Sequence, residues 1–172
     1  MPIHLKDLDV VSEVAGLSSV LIVPCNMCAA VTVAVREKKP FIQFFRSFLK
    51  SIPFEQHIRA LQSRLREKGV NTKVFKSNLP HQWFLCMWTS GRHKKLQKYA
   101  KQHEAVIVLG CDSATETVRN SVKSTDCKVI EGMEVTGIMN AKLRFHFPGN
   151  VSFEDCKIIP ISPQKKEEDM SG

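Results

Sequence analysis

The sequence predicts an α/β domain, an open, mostly parallel, Rossmann-like sheet with helices on both faces. Three observations carry that expectation. Short β-branched apolar runs, SVLIVP at 19–24 and AVIVLG at 105–110 above all, alternate with segments of helical spacing. Those runs are continuously apolar, as in strands buried on both faces of a parallel sheet. The chain has 172 residues, 43% of them apolar, which is enough to bury one core without staples.

Taken in order, residues 5–16 place Leu5, Leu8, Val11 and Val14 at helical intervals, with Gly16 as a stop signal. Residues 19–24 form the first expected strand. Cys25 closes it, and Asn26 is placed to cap a helix running through Cys28 to about Val35. A second amphipathic helix is expected over 40–50 on Phe41, Phe44, Phe45 and Phe48. A third starts at Pro53 and ends at Gly69, with Phe54, Ile58, Leu61 and Leu65 as its stripe. VNTKVF at 70–75 is strand-like, and QWFLCMW at 82–88 fits either a short buried strand or a helix start. Thr89 or Ser90 caps a helix through His103.

AVIVLG is the clearest strand. It runs into Cys111-Asp112-Ser113, where Ser113 and Glu116 fit a capping box for the helix TETVRNSV. CKVIE at 127–131 is another strand, and LRFHF and CKIIPI read as further short strands or extended segments. With no repeat and no internal linker, a single domain over 1–162 is expected, followed by a charged, disordered tail at 163–172.

Composition narrows the function. The longest apolar run, Val20 to Pro24, is far too short to span a bilayer, and nothing resembles a secretory signal. A soluble, cytoplasmic protein is expected. The net charge of +8 suits an anionic ligand, an acidic partner or a nucleic acid. No G-x-G-x-x-G or P-loop pattern occurs, so nucleotide binding has little support. Arg92, Lys94, Lys95, Lys98 and Lys101 read as a solvated helix face, or as a face that docks an acidic partner. Tyr99 is the only aromatic residue among them, so base stacking has no platform and nucleic acid is disfavoured.

Six cysteines remain to be read. In parallel α/β sheets ligands gather at the carboxyl ends of strands. Cys25 ends one strand, Cys28 follows in the next helical turn, Cys111 ends another strand, and Cys86 follows the apolar piece QWFL. These four are expected at one edge. Cys127 and Cys156 begin strands, which assigns them to the opposite edge and to the core. Four converging thiolates suit zinc or an iron–sulfur cluster. Free cysteine is also a common core residue, and for Cys86 and Cys111 that reading weighs about equally. A redox dithiol at Cys25-x-x-Cys28, with Cys25 activated at a helix N-terminus, is a further reading, and a basic binding module with structural cysteines is another. Trp83 and Trp88 flank Cys86, either as a shield over a metal or as core.

SVLIVPCNMCAAVTV, FLC at 84–86, VIVLGCDSATETV, IEGMEVTGIMN and VSFEDC follow one another over most of residues 18–156. In that order and spacing the chain resembles the small metal-binding subunit of bacterial methylenetetrahydrofolate reductases, the reductase C-terminal domain family. The resemblance implies a non-catalytic subunit that holds cysteine-ligated metal. It also implies a larger flavin-bearing redox partner in one-carbon metabolism. Carried onto this chain, it makes Cys25, Cys28, Cys86 and Cys111 the ligands and favours a [4Fe–4S] cluster over zinc. Thr32 stands where the family's opening motif continues to a third cysteine, and the cysteine-rich end is reduced to Cys156. The chain is therefore expected to hold one centre at most.

Overall fold

From Val20 to Pro24 and from Ala105 to Leu109 every residue is buried, and the fold is laid out around these two runs. In the computed structural model, which describes residues 3–43, 51–76 and 84–161, the strands are β1 Ile3–Asp7, β2 Ser19–Pro24, β3 Ile42–Gln43, β4 Asn71–Val74, β5 Ala105–Leu109, β6 Lys128–Glu131, β7 Met133–His146 and β8 Asn150–Pro160. The described helices are α1 Val10–Glu13, α2 Cys28–Arg36, α3 Ile52–Glu67, α4 Ser90–Ala100 and α5 Asp112–Val122, with a 3-10 turn at Leu85–Met87.

The α/β class holds, but the strands divide into two sheets. One is parallel, in the order β4-β2-β5-β6, and the other antiparallel, in the order β1-β7-β8-β3. The single open sheet expected from the sequence is therefore corrected to a parallel sheet beside an antiparallel one. LRFHF and CKIIPI are not separate short strands. They belong to β7 and β8, which are 14 and 11 residues long and pair from Gly137 opposite Pro160 to His146 opposite Asn150.

The first expected helix is also corrected. Ile3–Asp7 is a strand paired antiparallel with β7, and only Val10–Glu13 is helical. Leu5 is buried and Lys6 exposed, an alternation too short to outweigh the helical spacing further along. Pairing with residues 133–138 decides the outcome, and local pattern does not report it. Ile42–Gln43 within the second expected helix is the strand β3, with Ile42 opposite Val151. Phe41 packs edge-on against Phe153 at 5.4 Å between ring centroids. Phe44, Phe45 and Phe48 lie outside the described residues, as do Trp83 and the 163–172 tail.

The third expected helix is α3, and its stripe of Phe54, Ile58, Leu61 and Leu65 is buried. Pro53 sits in its first turn, where its missing N–H has no helical partner to lose. Two helix starts differ from expectation. Met27, not Asn26, precedes α2, and Cys111 precedes α5. Ser113 is inside α5, where its carbonyl accepts the Thr117 hydroxyl at 2.9 Å, while Glu116 accepts from the Asn120 amide, so no capping box forms.

Helix α2 joins the two sheets. It is made of small and β-branched residues, and Ala29 to Ala34 are all buried. Cys28 and Thr32 are four residues apart, so both lie on one face. That face meets β1: Thr32 Oγ1 accepts the Leu5 N–H and donates to the Ile3 carbonyl, both at 3.2 Å. At the far end Arg36 Nη1 pairs with Asp7 Oδ2 at 2.7 Å, and His57 Nε2 stands 3.4 Å from Asp7 Oδ1.

Burial alone would raise the Asp7 carboxyl, but the hydrogen bonds and charges of His57 and Arg36 hold it below its ordinary 3.8. A carboxyl lowered in the folded state contributes stability above its unfolded pKa, and that stability disappears as pH falls through the folded value. The side chains are more than a third exposed, so screening leaves about 1 kcal/mol or less. Between roughly pH 6 and roughly pH 3 the urea midpoint of the unmodified chain should fall further than that of the Asp7→Asn protein. Equal losses would show that the pair contributes nothing.

Candidate metal centre

From β2 the chain crosses to β4 on one side, then passes over to β5 on the other. The carboxyl ends of β2 and β5 thus flank a topological switch point, where the loops diverge and leave a crevice. Cys25 follows β2, and Gly110-Cys111 follows β5. The Cys25 N–H donates to the Leu109 carbonyl at 2.8 Å, which keeps the two loops side by side. Gly110 permits their approach. A Cβ there would lie 2.7 Å from the Ala114 Cβ and 3.1 Å from the Cys25 Cβ.

Two further cysteines come to the same place. Cys28 is the first residue of α2, and its thiol is hydrogen-bonded to Cys111. Cys86 lies in the 3-10 turn, which packs against α5 through the fully buried Leu85. Cys86 itself is exposed but close enough to act on Cys25 electrostatically. QWFLCMW is therefore neither expected element in its described part. Cys127 precedes β6 at the amino edge of the parallel sheet, as expected. Cys156 does not: it sits within β8 of the antiparallel sheet, which the sequence pattern did not separate from the parallel one. Both are partly exposed and pack against the rim of the hydrophobic core.

The inner sulfurs differ in charge preference. Burial pushes the Cys25 thiol up, against the N–H groups of Leu85 and Met27 that favour its anion. Burial thus opposes the expected activation of Cys25 at a helix N-terminus. Cys111 is the residue so placed. The hydrogen bond from Cys28 draws it down to about 6, assisted by the N–H groups of Ala114 and Ser113 at the start of α5. The same hydrogen bond pushes the donor Cys28 up, while the Ile3 N–H opposes it.

Each of the three inner sulfurs is thus approached by backbone N–H groups: Met27 and Leu85 at Cys25, Ile3 at Cys28, Ser113 and Ala114 at Cys111. Such donors favour sulfur anions and are the outer contacts that thiolate-bound metals use. The donor set suits a soft metal. Among the described residues, however, no three His, Cys, Asp or Glu side chains are already arranged to hold one. Cys86 is exposed on its turn, whereas Cys25 and Cys111 are buried and Cys28 is half-buried. Trp88 packs at a tilt against Phe75 and edge-on against His93, and Met87 is 65% exposed, so Met87 does not cover the cysteines.

Sequence reasoning missed Gly110, whose lack of a side chain sets the spacing of Cys25 and Cys111, and the Ile3 and Leu85 N–H groups. A glycine between a buried strand and a cysteine was the available signal for the first. Compared with known protein families, curated proteins and solved structures, the chain matches none. Among the described residues no helix is long and apolar enough to cross a membrane.

Proposed function

We propose that this protein is a cytoplasmic, non-catalytic metal subunit whose single centre is held by Cys25, Cys28, Cys111 and Cys86. It relays electrons to, or stabilises, a larger flavin-bearing redox enzyme. The gathering of three buried or half-buried cysteines at the switch point, each sulfur facing backbone N–H donors, carries the reading. A [4Fe–4S] cluster would supply one-electron transfer and zinc a structural or Lewis-acid site, and four thiolates suit either. The resemblance to the metal-binding subunit of methylenetetrahydrofolate reductases favours the cluster and links the protein to one-carbon metabolism.

The chain's own residues divide the work. Cys25 and Cys28 offer two ligands from one turn, which limits the ordering cost. Cys111 offers a sulfur whose anion is favoured by the Cys28 hydrogen bond and by the N–H groups of Ala114 and Ser113. Cys86 completes the set by turning inward from the 3-10 turn, with Leu85 as its anchor.

Serine variants test the ligand set. Cys25→Ser, Cys28→Ser and Cys111→Ser should each lose bound metal, by about 100-fold or more in affinity, while Cys127→Ser and Cys156→Ser retain it. Loss in Cys127→Ser with retention in Cys25→Ser would overturn the assignment. If anaerobically prepared protein binds no metal, the Cys28–Cys111 contact favours a dithiol instead. Its two thiols would close to one disulfide, giving two electrons and two protons to an external disulfide.

A further inference from the structure

On the outer edge of the parallel sheet, away from the cysteines' strand ends, a groove of about 570 Å³ opens between α3, β4 and α4. Lys73, Lys76 and Lys95 line it, together with Gln62, Thr72 and Tyr99. Among the described residues no carboxylate pairs with any of the three lysines. Three ammonium groups around one concavity repel each other, and an anion relieves that repulsion. Thr72 adds a second feature. It is 7% exposed, and its hydroxyl accepts the Gln62 amide at 3.2 Å, which leaves its own proton to donate. The backbone contributes as well. Asn71 and Phe75 direct their N–H groups to Ser18 and Ile22 on the β2 side, so alternation turns those of Thr72 and Val74 toward the open edge.

We propose that this groove binds a phosphate-bearing small molecule of about nucleotide size. The volume suits one such ligand. The donors are all cationic or neutral N–H and O–H groups, as a polyphosphate requires. Arg92 stiffens the floor: its guanidinium lies 4.1 Å from the Phe75 ring centroid and donates to the Lys76 carbonyl at 2.6 Å. A nucleic-acid strand fits less well. One face of Tyr99 is taken by the Lys73 ammonium at 4.7 Å and the ring lies nearly perpendicular to Phe75, which leaves little platform for base stacking. The inference is independent of the cysteines.

Calorimetric titration with inorganic triphosphate and with ATP, at about 0.15 M salt, tests it. One site per chain is expected. Lys73→Gln and Lys95→Gln should each weaken binding about tenfold, and the Lys73→Gln/Lys76→Gln/Lys95→Gln protein should lose it. Lys94→Gln/Lys101→Gln, which removes two lysines outside the groove, should bind as the unmodified chain does. All variants should keep the unmodified circular dichroism and melting temperature. The proposal is overturned by an absence of saturable binding. It is equally overturned by binding that the triple variant retains, or by single-stranded RNA displacing triphosphate at lower concentration than ATP does.

Discussion

Gly110→Ala should destabilise the protein by about 2–3 kcal/mol and weaken metal binding together. The new Cβ would stand 2.7 Å from the Ala114 Cβ and 3.1 Å from the Cys25 Cβ. Neither neighbour is the far end of a flexible chain. Ala114 is fixed in α5, and Cys25 is fixed by its N–H bond to Leu109. Relief therefore requires α5 and the loop after β2 to separate, and those two segments carry Cys111 and Cys25. Gly91→Ala is the matched control. No atom lies within 4 Å of its added Cβ, and it sits in α4, so that change should be neutral or stabilising by up to about 1 kcal/mol. Urea unfolding of both proteins checks the pair. Equal midpoints would show that the close approach of the two loops is not a stability determinant.

Thr32→Val should cost about 2–4 kcal/mol although it places an apolar side chain in a fully buried position. The two side chains are close in shape, so packing changes little. What changes is the hydroxyl, which satisfies the Leu5 N–H and the Ile3 carbonyl. Without it the buried Leu5 N–H and the part-buried Ile3 carbonyl on β1 lose this partner, and an unsatisfied buried group costs about 1–3 kcal/mol. Because the Ile3 N–H also faces Cys28, slippage of β1 should disturb the sulfur site as well. Thr32→Ser keeps the hydroxyl and should lose less. A Val variant as stable as the unmodified chain would mean that β1 is held by β7 alone. The side chain at position 32 faces β1, where a hydroxyl that donates and accepts does what a thiol does only weakly.

The parallel layer was legible because its strands announce themselves locally. Residues 19–24 and 105–109 are continuously apolar and continuously buried, and the periodic stripe of α3 sits where its spacing put it. The carboxyl-edge placement of Cys25 and Cys111 followed from those strands. The antiparallel layer was not legible. Its long strand β7 is buried or half-buried from Met133 to Met139 and mostly exposed beyond, with Leu143, Phe145 and, after it, Phe147 more than half exposed, so no regular inside–outside alternation marks it. Its edge strand β1 depends on a partner over 120 residues away. Cys156 was misplaced for that reason. The local chemistry at the helix starts was also hidden. Ser113 and Glu116 match a capping pattern, yet α5 begins at Asp112, two residues earlier than a Ser113 cap would place it, with Cys111 in the preceding position.

The most direct test of the metal-site account is the composition of the protein isolated without oxygen. Its visible spectrum should be recorded, and iron, sulfide and zinc measured against chain concentration. A brown protein with about four iron and about four sulfide per chain is the predicted result. One zinc per chain in a colourless protein would keep the site and change its metal. A colourless protein without iron or zinc, whose cysteines all react as free thiols, would contradict the account.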